Sequence, residues 1–174
     1  KSISNTILNY IKVPPKICII LGSGLNSLTN KIKNPIIIKY KSIPGFITTS
    51  VQGHEGNFIY GEINEVPVLC ANGRFHYYEG YSFKEIGSII EIFNHLNPEL
   101  CIITNSSGCL NINWNIGDFM IAKEFLDFSF IASDKSKKHS FLSKDYYNII
   151  GLAKKNNINL HEGTYTFTLG PSYE

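Results

Sequence analysis

Two short runs constrain the fold more than anything else in the chain. Lys16–Leu21 reads KICIIL and Leu100–Thr104 reads LCIIT, each a continuous apolar stretch rich in β-branched residues. A strand with one wet face alternates polar and apolar residues, whereas continuous runs of this length suit strands buried on both faces, as in parallel sheets. Each run also ends in a small polar turn, Gly22-Ser23-Gly24 in one case and Asn105-Ser106-Ser107-Gly108 in the other. A buried strand that feeds a glycine turn and then a helix is the unit of α/β architecture.

The remaining pattern agrees with that class. Ile3, Ile7, Leu8 and Ile11 have helical spacing before Val13-Pro14-Pro15. A helix is expected from Gly24 to Lys31, a strand over Pro35–Tyr40, and a hairpin over Phe46–Ile63 around Gly53-His54-Glu55-Gly56. Val66–Ala71 reads as a strand, and Ser82–Leu96 as a helix with Ser82 and Glu85 forming a capping box and Ile86, Ile89, Ile90 and Phe93 on its apolar face. Phe119–Phe130 and Thr164–Leu169 read as strands, and Ser143–Lys155 as a helix. The expected fold is α/β, with a mixed or largely parallel central sheet flanked by helices, built as one domain over residues 1–174.

Composition narrows the function. With 174 residues, 43% of them apolar, the chain can bury one core. A formal net charge of +2, with scattered lysines, lacks the concentrated basic face that nucleic acid requires. No apolar run approaches the ~20 residues of a membrane span, and the N-terminus lacks a signal-peptide succession. A soluble, cytoplasmic protein without membrane contact is therefore expected. Cys18, Cys70 and Cys101 sit in apolar runs and read as reduced core thiols, while Cys109 follows a glycine in a polar turn. No Cys/His/Asp spacing fits a metal site.

Ligands of open α/β sheets collect at the carboxyl ends of strands. Polar, glycine-bearing clusters follow strands at Gly22–Gly24, Asn72–Tyr81, Asn105–Gly108 and Gly170–Glu174. Ser23 can offer a hydroxyl and backbone N–H groups to an anion, although the third glycine of a dinucleotide fingerprint is replaced by Ser27. In ANGRFHYYEGY, Arg74 presents a planar fork suited to phosphate, and His76 and Tyr78 fall on its side if the segment is extended. Taken alone, the default for this segment is a surface ion pair of Arg74 with Glu79 or Glu62, beside core tyrosines. By themselves His54, in a glycine-flanked turn, and Glu174, at the chain end, carry no assignment.

Six stretches, ILGSGLNSLT, VQGHEGN, NGRFHYYEGY, TNSSGCLN, IGDFM and EGTYTFTLGPSYE, resemble in order and spacing those of the trimeric purine nucleoside phosphorylases. The likeness runs from about residue 14 to residue 174. It implies reversible phosphorolysis of purine nucleosides of the inosine or guanosine type to free base and ribose 1-phosphate. Phosphate is then a co-substrate, no metal or organic cofactor is needed, and the protein is a homotrimer. Carried over residue by residue, the resemblance makes Ser23, His54, Arg74, His76 and the backbone at Ser106 phosphate-holding positions. It places Tyr78 at the ribose, Glu79 behind the phosphate network, and Tyr173 and Glu174 at the purine, with Glu174 accepting from N1–H of a 6-oxopurine. Phe141 matches the aromatic that crosses the trimer interface.

Departures accompany the likeness. Ser106, Ser107 and Cys109 replace small residues of the family's Asn-Ala-Ala-Gly-Gly turn, Asn57 replaces an arginine, and a shorter lysine-rich connection lies between Phe130 and Phe141. The family's later Met-Ser pair, leaving-group Asn and 5′-hydroxyl His have no counterpart up to Glu174, so the chain is expected to be C-terminally incomplete. Two other readings stay open: a purine- and phosphate-binding remnant without turnover, and a methylthioadenosine phosphorylase.

Overall fold

The structure is a computed structural model that describes residues 3–47, 56–130 and 137–169. These residues fall into two compact units, Lys1–Ser106 and Ser107–Glu174.

The first unit opens with helix α1 (Ile3–Leu8) and strand β1 (Ile17–Leu21), in which every residue after Ile17 is buried. A 3-10 segment, Asn26–Lys31, takes the place of the expected α-helix after the glycine turn. β2 (Lys33–Lys39), β3 (Asn57–Ile63) and β4 (Val66–Asn72) follow, then α2 (Phe83–Ile86), α3 (Ser88–Leu96) and β5 (Leu100–Ile103). The sheet order is β2-β3-β4-β1-β5; β4, β1 and β5 run parallel, and β2, β3 and β4 pair antiparallel. A mixed sheet flanked by helices is what the apolar runs implied.

Each face of this sheet carries its own core. Cys18 and Ile20 of β1 join Phe58, Leu69 and Ala71 on one face, under Ile7 of α1 and Ile89, Ile92, Phe93 and Leu96 of α3. Ile19 and Leu21 turn the other way, to Ile59, Val68 and Cys70, and are covered by Leu25, Leu28 and Ile32. That two-sided burial is why β1 could be read as a continuous apolar run.

Several expectations change. The hairpin turn is at Asn64-Glu65, both with positive φ (48° and 66°), and joins β3 to β4; the two-residue turn that matches strand twist needs such angles. Phe46 and Ile47 are not in a strand, and of the expected hairpin tip Gly53, His54 and Glu55 lie outside the described residues. The Ser82–Leu96 helix is interrupted at Gly87, although its capping box forms, with Ser82 Oγ accepting from Glu85 N–H and Glu85 Oε2 accepting from Ser82 N–H. Ile90 is exposed, and Ile92 and Leu96 are buried instead. β5 is an edge strand, so Cys101, expected in the core, is exposed; Cys18 and Cys70 are buried and Cys109 is exposed.

The second unit holds β6 (Phe119–Asp127), β7 (Lys137–Ser140), α4 (Lys144–Lys155) and β8 (Leu160–Phe167). β6 is central, antiparallel to β7 and parallel to β8. β7 arises in the lysine-rich connection, where no strand was expected; Lys138 pairs with Glu124 across it at 2.8 Å. Among the described residues no helix is long and apolar enough to cross a membrane.

Candidate active site

β4, β1 and β5 are parallel neighbours, so the segments after their carboxyl ends share one rim. Those segments are Gly22–Gly24, Gly73–Gly80 and Thr104–Ser106. They approach closely: a Cβ on Gly22 would stand 2.6 Å from Asn105 Cα and 2.8 Å from the Thr104 carbonyl oxygen, so only glycine lets the two backbones meet.

The turn after β4 is set by its neighbours. Tyr40, fully buried, donates its hydroxyl to the Gly73 carbonyl at 2.7 Å. Gly73 itself has φ +108°, the left-handed side that favours glycine. Beyond it the chain is extended, with His76 at φ −122° and ψ 151°. Alternation then sends Phe75 into the core against Tyr40, Phe46 and Tyr81, and Arg74 and His76 to the other side.

There the side chains form a relay. Arg74 Nη1 donates to the Thr104 carbonyl at 2.7 Å, and Arg74 Nε donates to His76 Nε2 at 3.0 Å. A guanidinium has no acceptor, so Nε2 must accept, and the His76 proton lies on Nδ1, facing Glu79 Oε1 at 3.3 Å. Glu79 Oε2 also accepts the His76 backbone N–H at 3.2 Å. Tyr78 stacks on the His76 ring, centroids 4.9 Å apart and planes 17° apart. Arg74 thus pairs with neither Glu79 nor Glu62. Among the described residues its remaining N–H groups have no partner, and Tyr77 and Tyr78 are exposed rather than core.

Ser23 is exposed, and among the described residues its hydroxyl has no partner, while its carbonyl accepts from Ser106 Oγ at 2.7 Å. A guanidinium fork, a hydroxyl and turn N–H groups therefore converge, a set suited to a tetrahedral oxyanion, while the imidazole, engaged at both nitrogens by Arg74 and Glu79, steadies the fork. Of the residues singled out from sequence, Ser23, Arg74, His76, Tyr78, Glu79 and Ser106 are in this unit. His54, Tyr173 and Glu174 lie outside the described residues.

Two contributors escaped the sequence reading. Thr104 merely ends a strand-like run in the sequence, yet its carbonyl holds Arg74 and its hydroxyl accepts the Gly22 N–H at 2.9 Å. A lone hydroxyl closing an apolar run was the available signal. Tyr40 had no signal, because its partner Gly73 is distant in sequence.

In the second unit Phe141 is exposed, edge-on to Phe125 with centroids 6.4 Å apart. Trp114 lies flat on His161, centroids 4.3 Å apart and planes 8° apart, and His161 Nε2 bonds Asp118 Oδ2 at 2.9 Å. The backbone N–H of Asn115, and then His161, hold the Asp118 carboxyl below the usual range. Neither His161 nor Trp114 was singled out from sequence. Among the described residues no group of three or more His, Cys, Asp or Glu could hold a metal ion.

Known proteins resemble this chain over nearly its whole length. A sequence profile of the phosphorylase superfamily matches residues 16–174. Purine nucleoside phosphorylase 1 of Bacillus subtilis is 36% identical over 92% of the chain, and the mouse purine nucleoside phosphorylase 30% identical over 97%. The chain spans 64% of the length of each. Among solved structures, the Schistosoma purine nucleoside phosphorylase with hypoxanthine superposes with a TM-score of 0.83 at 30% identity, covering 99% of this chain and 66% of that one. The Schistosoma mansoni enzyme with inosine gives 0.84 at 29% identity, with the same coverage. A purine nucleoside phosphorylase with ribose 1-phosphate gives 0.84 at 30% identity, covering 99% of this chain and 70% of that one. Fold and sequence agree, and the chain belongs to the phosphorylase superfamily.

Proposed function

We propose that the protein catalyses the reversible phosphorolysis of purine nucleosides, inosine or guanosine with phosphate giving free base and ribose 1-phosphate. The observation that carries this reading is the Arg74–His76–Glu79 relay beside the Gly22–Gly24 turn, at the ends of three parallel strands. Relatives crystallised with hypoxanthine, inosine and ribose 1-phosphate support it.

In this reaction the C1′–N9 bond breaks with its electron pair going to the purine, and a phosphate oxygen forms the new bond to C1′. The proton of hydrogen phosphate balances the departing base. Positioning an anionic nucleophile below a carbon that gains positive charge is work for fixed donors, and preorganised donors avoid reorganisation during the step. Arg74, Ser23, His54 and the Ser106 backbone hold phosphate in this scheme, and His76 steadies the Arg74 fork beside it. Tyr78 lies at the ribose and Glu79 keeps His76 in its tautomer. Tyr173 packs on the purine, and Glu174 accepts its N1–H. Phosphate is the co-substrate, and the scheme uses no metal or organic cofactor. We further place the enzyme in the cytoplasm as a homotrimer, with exposed Phe141 at the subunit interface.

The test is base release from inosine, guanosine and adenosine with and without inorganic phosphate. Phosphate-dependent hypoxanthine and guanine release is expected. Release without phosphate would indicate a hydrolase and overturn the reading. Thermal stabilisation by phosphate or guanine without product would favour a binding module, and preferential cleavage of 6-aminopurine nucleosides would favour the methylthioadenosine class.

A further inference from the structure

The Gly22-Ser23-Gly24 turn is held from outside by two hydroxyls on the segment that follows β5. Thr104 Oγ1 donates to the Ile20 carbonyl at 2.8 Å and accepts the Gly22 N–H at 2.9 Å. Ser106 Oγ donates to the Ser23 carbonyl at 2.7 Å. One clasp therefore closes on each side of the Gly22–Ser23 peptide. The Thr104 carbonyl also receives Arg74 Nη1, so a single residue ties the turn, β5 and the guanidinium together.

This matters because the turn's own bond, from Leu25 N–H to the Gly22 carbonyl at 3.2 Å, spans the Ser23–Gly24 peptide without engaging it, so that peptide can still rotate. The Ser23–Gly24 peptide precedes a glycine at φ +85°, and glycine takes either sign of φ at little cost. In a trans peptide the N–H points opposite the C=O. Fixing the Ser23 carbonyl therefore fixes the direction of the Gly24 N–H, one of the donors an anion in this turn would use. Rotating that peptide would break the Ser106 bond and present a carbonyl dipole where an N–H is wanted.

We propose that Thr104 and Ser106 are positioning residues whose side-chain hydroxyls lock the Gly22-Ser23-Gly24 turn in the anion-accepting orientation and so set its affinity for inorganic phosphate. The inference rests on the phosphorolytic reading above. It assigns the hydroxyls a role through the turn, distinct from any backbone contact of Ser106 with phosphate.

The experiment compares the full-length protein with Ser106→Ala, Thr104→Val and Thr104→Ser. It measures the inorganic phosphate Kd by calorimetry, guanine binding, the phosphate KM against kcat, and amide exchange at Gly22 and Gly24. Loss of one such bond corresponds to about a tenfold weakening of phosphate binding in the Ala and Val variants. Guanine affinity should be unchanged, amide exchange at the turn faster, and the Ser variant within about twofold of the parent. Ser106 is on the surface, so its variant remains informative if Thr104→Val folds poorly. Parent-like phosphate affinity in Ser106→Ala, with phosphorolysis intact, overturns the inference alone. A parent protein that binds no phosphate overturns the inference and the phosphorolytic reading together.

Discussion

At Arg74 the ion-pair default gives way to a different chemistry. A surface arginine beside Glu79 would ordinarily be a screened pair worth little. Here the guanidinium bonds a carbonyl and an imidazole instead, which fixes its plane without cancelling its charge. Arg74→Ala should therefore raise the phosphate KM on the order of tenfold to a hundredfold, as expected for a lost charged hydrogen bond. Its thermal midpoint should move little, because the residue is only half-buried. Arg74→Lys should restore only part of the affinity, since an ammonium lacks the fork. A variant that unfolds at the parent's working temperature, or keeps the parent's phosphate KM, would contradict this assignment.

Among the elements, the caps and the strand connections were not equally legible. Ser82 and Ser143 sit where helices begin because their hydroxyls accept an N–H three residues on, a local bond visible in the sequence. α4 is also pinned to β8, through a contact no local pattern reveals: buried Tyr146 donates its hydroxyl to Glu162 Oε2 at 2.6 Å. Burial first, then that carboxylate, pushes the Tyr146 phenol from 10.0 up to about 12. Between those values the unfolded chain loses a proton that the folded one keeps. The contribution is therefore full below the unfolded value and is lost as pH rises through the folded one. Tyr146→Phe should cost about 1 kcal/mol at neutral pH. Its stability should also fall less steeply than the parent's between pH 10 and 12, as read by urea denaturation. Equal slopes for the two proteins would remove Tyr146 as the source.

For the whole molecule, shared length with relatives bears on assembly as well as chemistry. Among the described residues of its unit, Phe141 is half exposed beside Phe125. Light scattering of the full-length protein should report three times the subunit mass, and Phe141→Ala should lower nucleoside affinity more than phosphate affinity. A monomer with full activity would refute the trimer proposal.

What the sequence determined by itself was local or periodic. The apolar runs of β1 and β5 announced an α/β sheet, the Ser82 capping box marked a helix start, and alternation through Phe75 put Arg74 and His76 on one side. Each of these follows from backbone geometry within a few residues. Tertiary structure alone decided the sheet order, the edge position that exposes Cys101, the hairpin at Asn64-Glu65 and the strand at Lys137–Ser140. It also decided that Thr104 and Tyr40 hold the rim, through bonds to partners more than thirty residues away or nearly so. Such contacts form only after the chain has packed, because a hydroxyl closing a distant turn leaves no periodic trace in the residues beside it.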